Sequence, residues 1–260
     1  MIVDHIIADR KIAVESLKET ISIQLLEKQI EEAQVKRYSF KNAITSTERP
    51  VNIIAEVKKA SPSKGLICET FSYLEIAKAY EEGNAAAISV LTEPKYFKGS
   101  NEYLKRIKKE VTVPILRKDF IIDPIQIYEA RAIGADAILF IVAILSQKEL
   151  QYYLKLASSL GMDALVETHD EKEIKIALEA GAQIIGINNR NLKTFEVSLE
   201  TSERLREFVP RDKVLVAESG ISTKEDVKKL KNIGANALLI GESIVRSKQP
   251  IQKLQEFIWM

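Results

Sequence analysis

The chain is poor in the residues that staple or metallate small proteins. Its 260 residues include one cysteine, Cys68, and two histidines, His5 and His169. A single thiol excludes an internal disulfide, and so few soft ligands argue against a zinc cluster. The expectation is a reducing, cytoplasmic setting, with no metal. An excess of charge of one sign is also missing. The formal net charge is +1, so no strong field points to nucleic acid or to a membrane surface. No apolar run approaches the roughly 20 residues that span a bilayer. The first ten residues place acids inside their apolar stretch, unlike a signal peptide. The bulk composition, 46% hydrophobic and 29% charged, suits a globular protein able to bury a sizeable core.

The distinctive feature is that apolar runs keep ending in charge. Ile53-Ile54-Ala55 leads into Glu56-Val57-Lys58, and Val113-Pro114-Ile115-Leu116 into Arg117-Lys118-Asp119. Ala164-Leu165-Val166 stops at Glu167, Ile184-Ile185-Gly186-Ile187 at Asn188-Asn189-Arg190, and Val214-Leu215-Val216-Ala217 at Glu218-Ser219-Gly220. Short runs rich in Ile, Val, Leu and Ala read as strands buried on both faces. Such a strand has little reason to finish in ionisable groups unless that end lines a site. Several doing so means several ends converging on one pocket. This predicts an α/β enzyme built as a single (β/α)8 TIM barrel, which the length also suits, although length alone would allow two small domains.

A repeated turn supports the barrel. Gly83, Gly134, Gly161, Gly181 and Gly234 each follow a helical pattern and precede an apolar run. Glycine just past a helix can take the left-handed conformation that ends it. Ser72 with Glu75, Ser146 with Glu149, Asp170 with Glu173 and Ser222 with Glu225 have capping-box spacing, and Asp123-Pro124 reads as a cap with a first-turn proline. Strands are expected at 53–58, 86–91, 113–117, 136–142, 163–167, 183–188, 213–218 and 236–241. Residues 1–50 remain as an N-terminal helical extension packed on the barrel of 51–260. Within it, 16–35 is expected as one amphipathic helix whose Ile21, Leu25, Leu26 and Ile30 cover a surface.

Alternation along a strand puts Glu56 and Lys58 on one side, toward the barrel mouth, with Ala55 and Val57 toward the helices. A solvated ion pair is the simpler alternative. The polar loop Ala60-Ser61-Pro62-Ser63-Lys64-Gly65 resembles one that closes over a ligand. Lys118 belongs to a trio of which only some members can point inward. A lysine there can be an acid catalyst, an anion ligand or a Schiff-base former. Glu167 ends its run abruptly, so partial burial is expected to raise its pKa and suit it to acid or base work. His169 reads as a loop residue. Glu218-Ser219-Gly220 and Gly241-Glu242-Ser243 follow the seventh and eighth strands, where backbone N–H groups of this fold commonly hold phosphate. Residue chemistry alone thus reaches a barrel enzyme for a small phosphorylated molecule.

The strings Ile54-Ala-Glu-Val-Lys-Lys-Ala-Ser-Pro-Ser-Lys-Gly65, Leu116-Arg-Lys-Asp-Phe120, Leu165-Val-Glu-Thr-His169, Ile185-Gly-Ile-Asn-Asn-Arg190, Val216-Ala-Glu-Ser-Gly-Ile221 and Leu239-Ile-Gly-Glu-Ser243 together resemble the indole-3-glycerol phosphate synthase family, in order and across the whole chain. The resemblance implies ring closure of 1-(2-carboxyphenylamino)-1-deoxyribulose 5-phosphate, with loss of carbon dioxide and water, in tryptophan biosynthesis and without a cofactor. It implies Lys118 as general acid, Glu167 as acid/base of dehydration, Lys58 as cation for the substrate carboxylate and Glu56 as its orienting partner. Asn188, Arg190, Glu218, Ser219, Phe120 and Leu239 then resemble substrate-binding residues, and Ser61, Gly220, Gly241 and Glu242 phosphate contacts. Glu242 stands where some members have serine, so its backbone N–H is the expected donor. Neighbouring sugar-phosphate isomerases would be expected to carry Cys or Asp on the first strand instead of Glu56 and Lys58. A non-catalytic phosphosugar-binding barrel would not need every proton-transfer group. The likeness leaves open a monomer or weak homo-oligomer, and contact with other enzymes of the pathway.

Overall fold

Residues 2–33, 36–68 and 70–260 are described by a computed structural model. Eight parallel strands close into a barrel in sequence order: β1 Asn52–Val57, β2 Ala87–Leu91, β3 Ile115–Lys118, β4 Ala137–Ile141, β5 Asp163–Thr168, β6 Ile184–Asn188, β7 Val214–Glu218 and β8 Ala237–Ile240, with β8 pairing back to β1. The largest departure from expectation is the start of β3, two residues later than 113. Pro114 has no N–H to give the ladder and only accepts, from Ile88 N at 3.0 Å.

Alternating side chains divide two cores. Ile54, Leu116, Leu139, Leu165, Val216 and Leu239 fill the barrel, while Ile53, Ala55 and Val57 pack outward against the helices. The barrel floor is closed by the short helix Phe40–Ile44, whose Phe40 and Ile44 are fully buried in the inner cluster. Burial of this kind contributes about 1.5–3 kcal/mol per side chain.

Four of the five repeated glycines take positive φ; at the fifth, Gly83 is helical and Asn84 takes the left-handed position with φ 69°. The capping boxes at Asp123 and Ser146 form. Ser72 occupies a cap position without a side-chain bond. The pair Ser222–Glu225 is displaced by one residue: Thr223 and Asp226 make the box, and the Asp226 carboxylate also accepts from Ser222 N–H.

The expected helix over 16–35 is two helices. Ile2–Thr20 runs to a break at Ile21-Ser22, where Ser22 is extended and its Oγ caps Ile23–Glu32 by accepting from Leu25 N–H. Gln34 and Val35, the end of the expected helix, lie outside the described residues. Leu26 is buried with Val14 and Ile125, on the barrel helix Pro124–Ala132, and Ile21 packs at the edge of that cluster. Leu25 is 44% exposed and lies outside that cluster. Lys18 reaches Asp123 at 2.7 Å, Arg10 reaches Asp119 at 3.3 Å, and Asp9 receives Tyr96 Oη at 2.5 Å and Lys95 Nζ at 2.8 Å. These contacts hold the first helix across the carboxyl ends of β2 and β3.

Candidate active site

The carboxyl ends of the strands enclose a cavity of about 840 Å³. Every nominated site residue lines it except Glu218, which is fully buried beneath it. Glu56 and Lys58 share the inner side of β1 and are in direct ion-pair contact. Of the trio on β3, only Lys118 extends its charge into the barrel. Arg117 points out among the helices, bonded to Thr92, the Gln126 carbonyl and Glu129. Asp119 accepts from Thr92 Oγ1 at 2.7 Å and from Arg10.

Lys118 Nζ stands 2.7 Å from Glu218 Oε2 and 3.7 Å from Glu56 Oε1. Burial alone would drive its proton off, but Glu218, Glu56 and Glu167 together hold the ammonium well above the usual lysine range. A lysine kept this firmly protonated is suited to bind an anion or to meet a strongly basic alkoxide, and unsuited to form a Schiff base. Glu218 bears the converse cost. Burial pushes its carboxyl up, Lys118 opposes that, and Glu167 and Glu56 add to it, leaving it at about 7. For Glu56, burial is outweighed by Lys58 and Lys118, which hold it below the usual carboxylate range.

Two glycines make room for these carboxylates. A Cβ on Gly241 would meet Glu56 Oε2 at 2.5 Å, and one on Gly186 would collide with Glu218 Oε1. The absent side chain at 241, read from sequence as space for phosphate, is already needed for Glu56.

Glu167 stands one residue before the end of β5 and acts on Lys118. Asn188 Nδ2 donates to its Oε1 at 3.0 Å, and His169 Nε2 lies 3.2 Å from the same oxygen. The expectation of a raised pKa is overturned. Burial does push the carboxyl up, but His169, Lys118 and Asn188 outweigh it and bring it down to about 2. His169 is more than a loop residue: its Nδ1 is 3.0 Å from Glu173 Oε2. Against the loss from burial, the two flanking carboxylates push its pKa up to about 10. Glu173 accordingly does not complete the expected box with Asp170. Asp170 caps Glu173 N–H, while the Glu173 carboxylate takes the His169 N–H at 2.8 Å.

At the other end of the cavity, Ser219 and Gly220 both have positive φ, 66° and 80°. Asn189 fixes this turn by donating to the carbonyls of Glu218 and Ser219. Gly241 and Glu242 approach from the end of β8, with Ser61 and Lys64 on the loop after β1. The Glu242 carboxylate turns to Arg246 at 3.2 Å. Arg190 donates to the Phe195 carbonyl at 3.1 Å, ordering the loop after β6.

Residue spacing missed the apolar wall. Ile2, Val3 and Ile6 of the first helix, and Phe97 after β2, line the cavity with Phe120 and Leu239. Buried Glu93 shapes the Phe97 loop by accepting three backbone N–H bonds, from Lys95, Tyr96 and Phe97. A buried acid followed by a Pro-bearing turn was the available signal. The first helix offered none, since its distance from 51 onward in sequence hides its place over the mouth.

Groups able to move protons thus meet an apolar wall at the catalytic end of a closed barrel, and the molecule is a β/α-barrel enzyme. Comparison with known proteins narrows that class. The family described as indole-3-glycerol phosphate synthase matches residues 3–257, and the chain belongs to that family, whose members are carboxy-lyases of tryptophan biosynthesis. It is 53% identical over 248 residues to the indole-3-glycerol phosphate synthase of Ruminiclostridium cellulolyticum, covering 95% of each chain. It is 52% identical over 257 residues to that of Endomicrobium trichonymphae, covering 98% of this chain and 99% of the other. The crystal structure of 3-hexulose-6-phosphate synthase from Salmonella typhimurium shares the fold, with a TM-score of 0.65 at 13% identity over 80% of this chain and 96% of that one. No helix among the described residues is long and apolar enough to cross a membrane.

Proposed function

We propose that this cavity closes the indole ring of 1-(2-carboxyphenylamino)-1-deoxyribulose 5-phosphate with Lys118 as the general acid. The ring carbon bearing the carboxylate attacks the ketone, and the developing alkoxide takes a proton from Lys118 Nζ. Breaking the bond to the carboxylate releases carbon dioxide and restores the aromatic ring. Loss of water then completes the indole, with Glu167 as acid/base. Lys58, oriented by Glu56, pairs with the substrate carboxylate before it leaves. Phe120 and Leu239 offer an apolar face to the aromatic ring, and Asn188 and Arg190 position the chain of hydroxyls. Glu218, beneath the cavity, acts through Lys118. The phosphate lies among Ser61, Ser219, Gly220 and the backbone of Gly241 and Glu242.

The observation that carries this reading is the setting of Lys118, a protonated donor at the cavity floor held by Glu218 and Glu56. The same reading treats residues 1–50 and 51–260 as one catalytic unit. It places the enzyme in the cytoplasm, as a monomer or weak homo-oligomer, needing no cofactor. The test follows indole fluorescence from the anilino-ketose phosphate. Glu167→Gln should lower kcat by roughly 10²-fold or more with KM within a few-fold of the parent. A parental kcat would remove Glu167 from the chemistry.

A further inference from the structure

Among the groups around the cavity, His169 has no part in the reaction just described, yet its surroundings are more specific than a loop requires. Its backbone N–H and its Nδ1 both address one oxygen, Glu173 Oε2, at 2.8 and 3.0 Å. That double grip fixes the ring and directs Nε2 at Glu167 Oε1, 3.2 Å away. Asn188 donates to the same Oε1 at 3.0 Å. Glu167 Oε1 therefore accepts from Asn188 and lies within ion-pair reach of His169 Nε2, which is buried and makes no hydrogen bond, while Oε2 carries no hydrogen bond among the described residues.

We propose that His169, clamped by Glu173, is a positioning residue that pairs with Glu167 Oε1 and leaves Oε2 as the oxygen that works on the substrate. The proposal rests on the acid/base role of Glu167 and deepens it. An imidazole set between two carboxylates holds a second proton, so the contact with Oε1 is an ion pair. It keeps Glu167 ionised in a buried place where its carboxyl would otherwise take up a proton. The other groups facing Glu167 are Lys118 from β3, which also favours the charge, Asn188 from β6, which donates to it, and Glu218 from β7, which opposes it. His169 is faced by Glu167 and Glu173. Lys118 is already shared among three carboxylates, so His169 is the cation that Glu167 shares with no other cavity carboxylate.

Two measurements on the intact enzyme test this. The chain has only two histidines, so 15N-histidine NMR, assigned with His5→Gln, reads the His169 ring directly. A doubly protonated ring at neutral pH is expected, and a neutral tautomer there would overturn the proposal. The second measurement is the pH profile of kcat for His169→Asn. Its acid limb should move up by about one to three pH units, and kcat at neutral pH should fall about tenfold with KM within about twofold. Glu173→Gln keeps an acceptor for the ring and removes the charge, so its limb should move the same way by less. A histidine that only supports the helix start would lower the melting temperature of His169→Asn and leave the acid limb in place, which would also overturn the proposal. Failure of the underlying reading looks different. Glu167→Gln would then turn over at the parental rate, while the NMR would still decide whether the two side chains form a charged pair.

Discussion

Lys108 and Lys118 are both buried lysines clamped to a carboxylate, and they sit at opposite ends of the barrel. Lys108 Nζ is 2.6 Å from Asp136 Oδ2 at the amino ends of the strands. The same Asp136 also accepts Ile115 N–H at 2.9 Å and Tyr38 N–H at 3.0 Å, and the Tyr38 ring lies 4.4 Å from the ammonium. Both oxygens of Asp136 have partners, and a second buried cation, Arg131, lies close enough to act on both charges. Burial dominates, so Lys108 is pushed below the usual lysine range although Asp136 opposes it. At the mouth, Lys118 faces three carboxylates, is held above that range, and leaves Glu218 Oε1 buried without a partner. One pair is closed and structural. The other holds a carboxylate, Glu218, whose charge is incompletely compensated and which keeps a spare acceptor, the condition of a site that waits for a cation or proton to move. A buried lysine and its acid are therefore weak indications of function by themselves; what their remaining atoms do decides the matter.

The strongest way to break this comparison is to remove each ammonium in turn. Lys118→Met should lower kcat by roughly 10²- to 10⁴-fold and leave the fold intact, because Glu218 can take up a proton in place of its lost partner. Lys108→Met leaves the buried Asp136 without its ion-pair partner, held only by two backbone N–H groups and the nearby Arg131, so it should cost about 3 kcal/mol of stability, read as a lower denaturant midpoint. Its remaining folded fraction should turn over at the parental kcat. Equal effects of the two variants on turnover would mean that the ends are not functionally distinct.

The contrast also marks what could be read from residue order. The barrel and most of the mouth were legible because Glu56, Glu167, Asn188 and Glu218 each directly follow an apolar run and Lys118 stands one residue beyond one, and the adjacency is local. Which of Arg117, Lys118 and Asp119 points inward was not, since it depends on partners as distant as Arg10 and Glu129. The ionisation of Glu167 was misjudged because burial is visible in a sequence, whereas the turn of His169 back onto Glu167 and the reach of Lys118 from β3 are not. His169 escaped for a related reason. Glu173 has capping-box spacing from Asp170, and His169 competed successfully for its carboxylate. The floor helix Phe40–Ile44 and the wall of Ile2, Val3 and Ile6 were invisible because nothing near them in sequence says what they cover.

A smaller effect sharpens the comparison through pH. The Glu218 carboxyl is raised in the folded state, from its ordinary value of 4.5 to about 7. The folded protein therefore holds more protons than the unfolded chain between these values, and this contribution to stability is present at acid pH and lost as pH rises through about 7. Glu167 has the opposite sign: lowered to about 2, its contribution is present above the unfolded value and lost as pH falls. Chemical denaturation across the interval should show Glu218→Gln gaining stability relative to the parent as pH increases toward neutrality. A constant difference would mean that Glu218 is already ionised throughout, and that its charge is fully compensated.

The smallest expected effect separates the two ends by backbone alone. Gly65, in the loop after β1, has φ +63°, and Gly181, in the turn before β6 at the barrel floor, has φ +98°. A Cβ would meet nothing within 4 Å at either position, so alanine adds left-handed strain and no clash, on the order of 1 kcal/mol. At Gly181 that strain can only be charged against the folded state, and Gly181→Ala should lower the melting temperature by a few degrees with kcat and KM unchanged. Gly65 pairs with Ser61 in the short hairpin that carries Ser61 and Lys64 at the cavity rim. Here the strained turn shifts the balance between loop shapes, by about fivefold for that energy, and Gly65→Ala should raise KM by up to that factor with little change in melting temperature. If release of product limits turnover in the parent, the dependence of kcat on solvent viscosity should change as well. Stopped-flow traces decide it: identical binding and release in Gly65→Ala and the parent would mean that the loop after β1 is as static as the turn at the barrel floor.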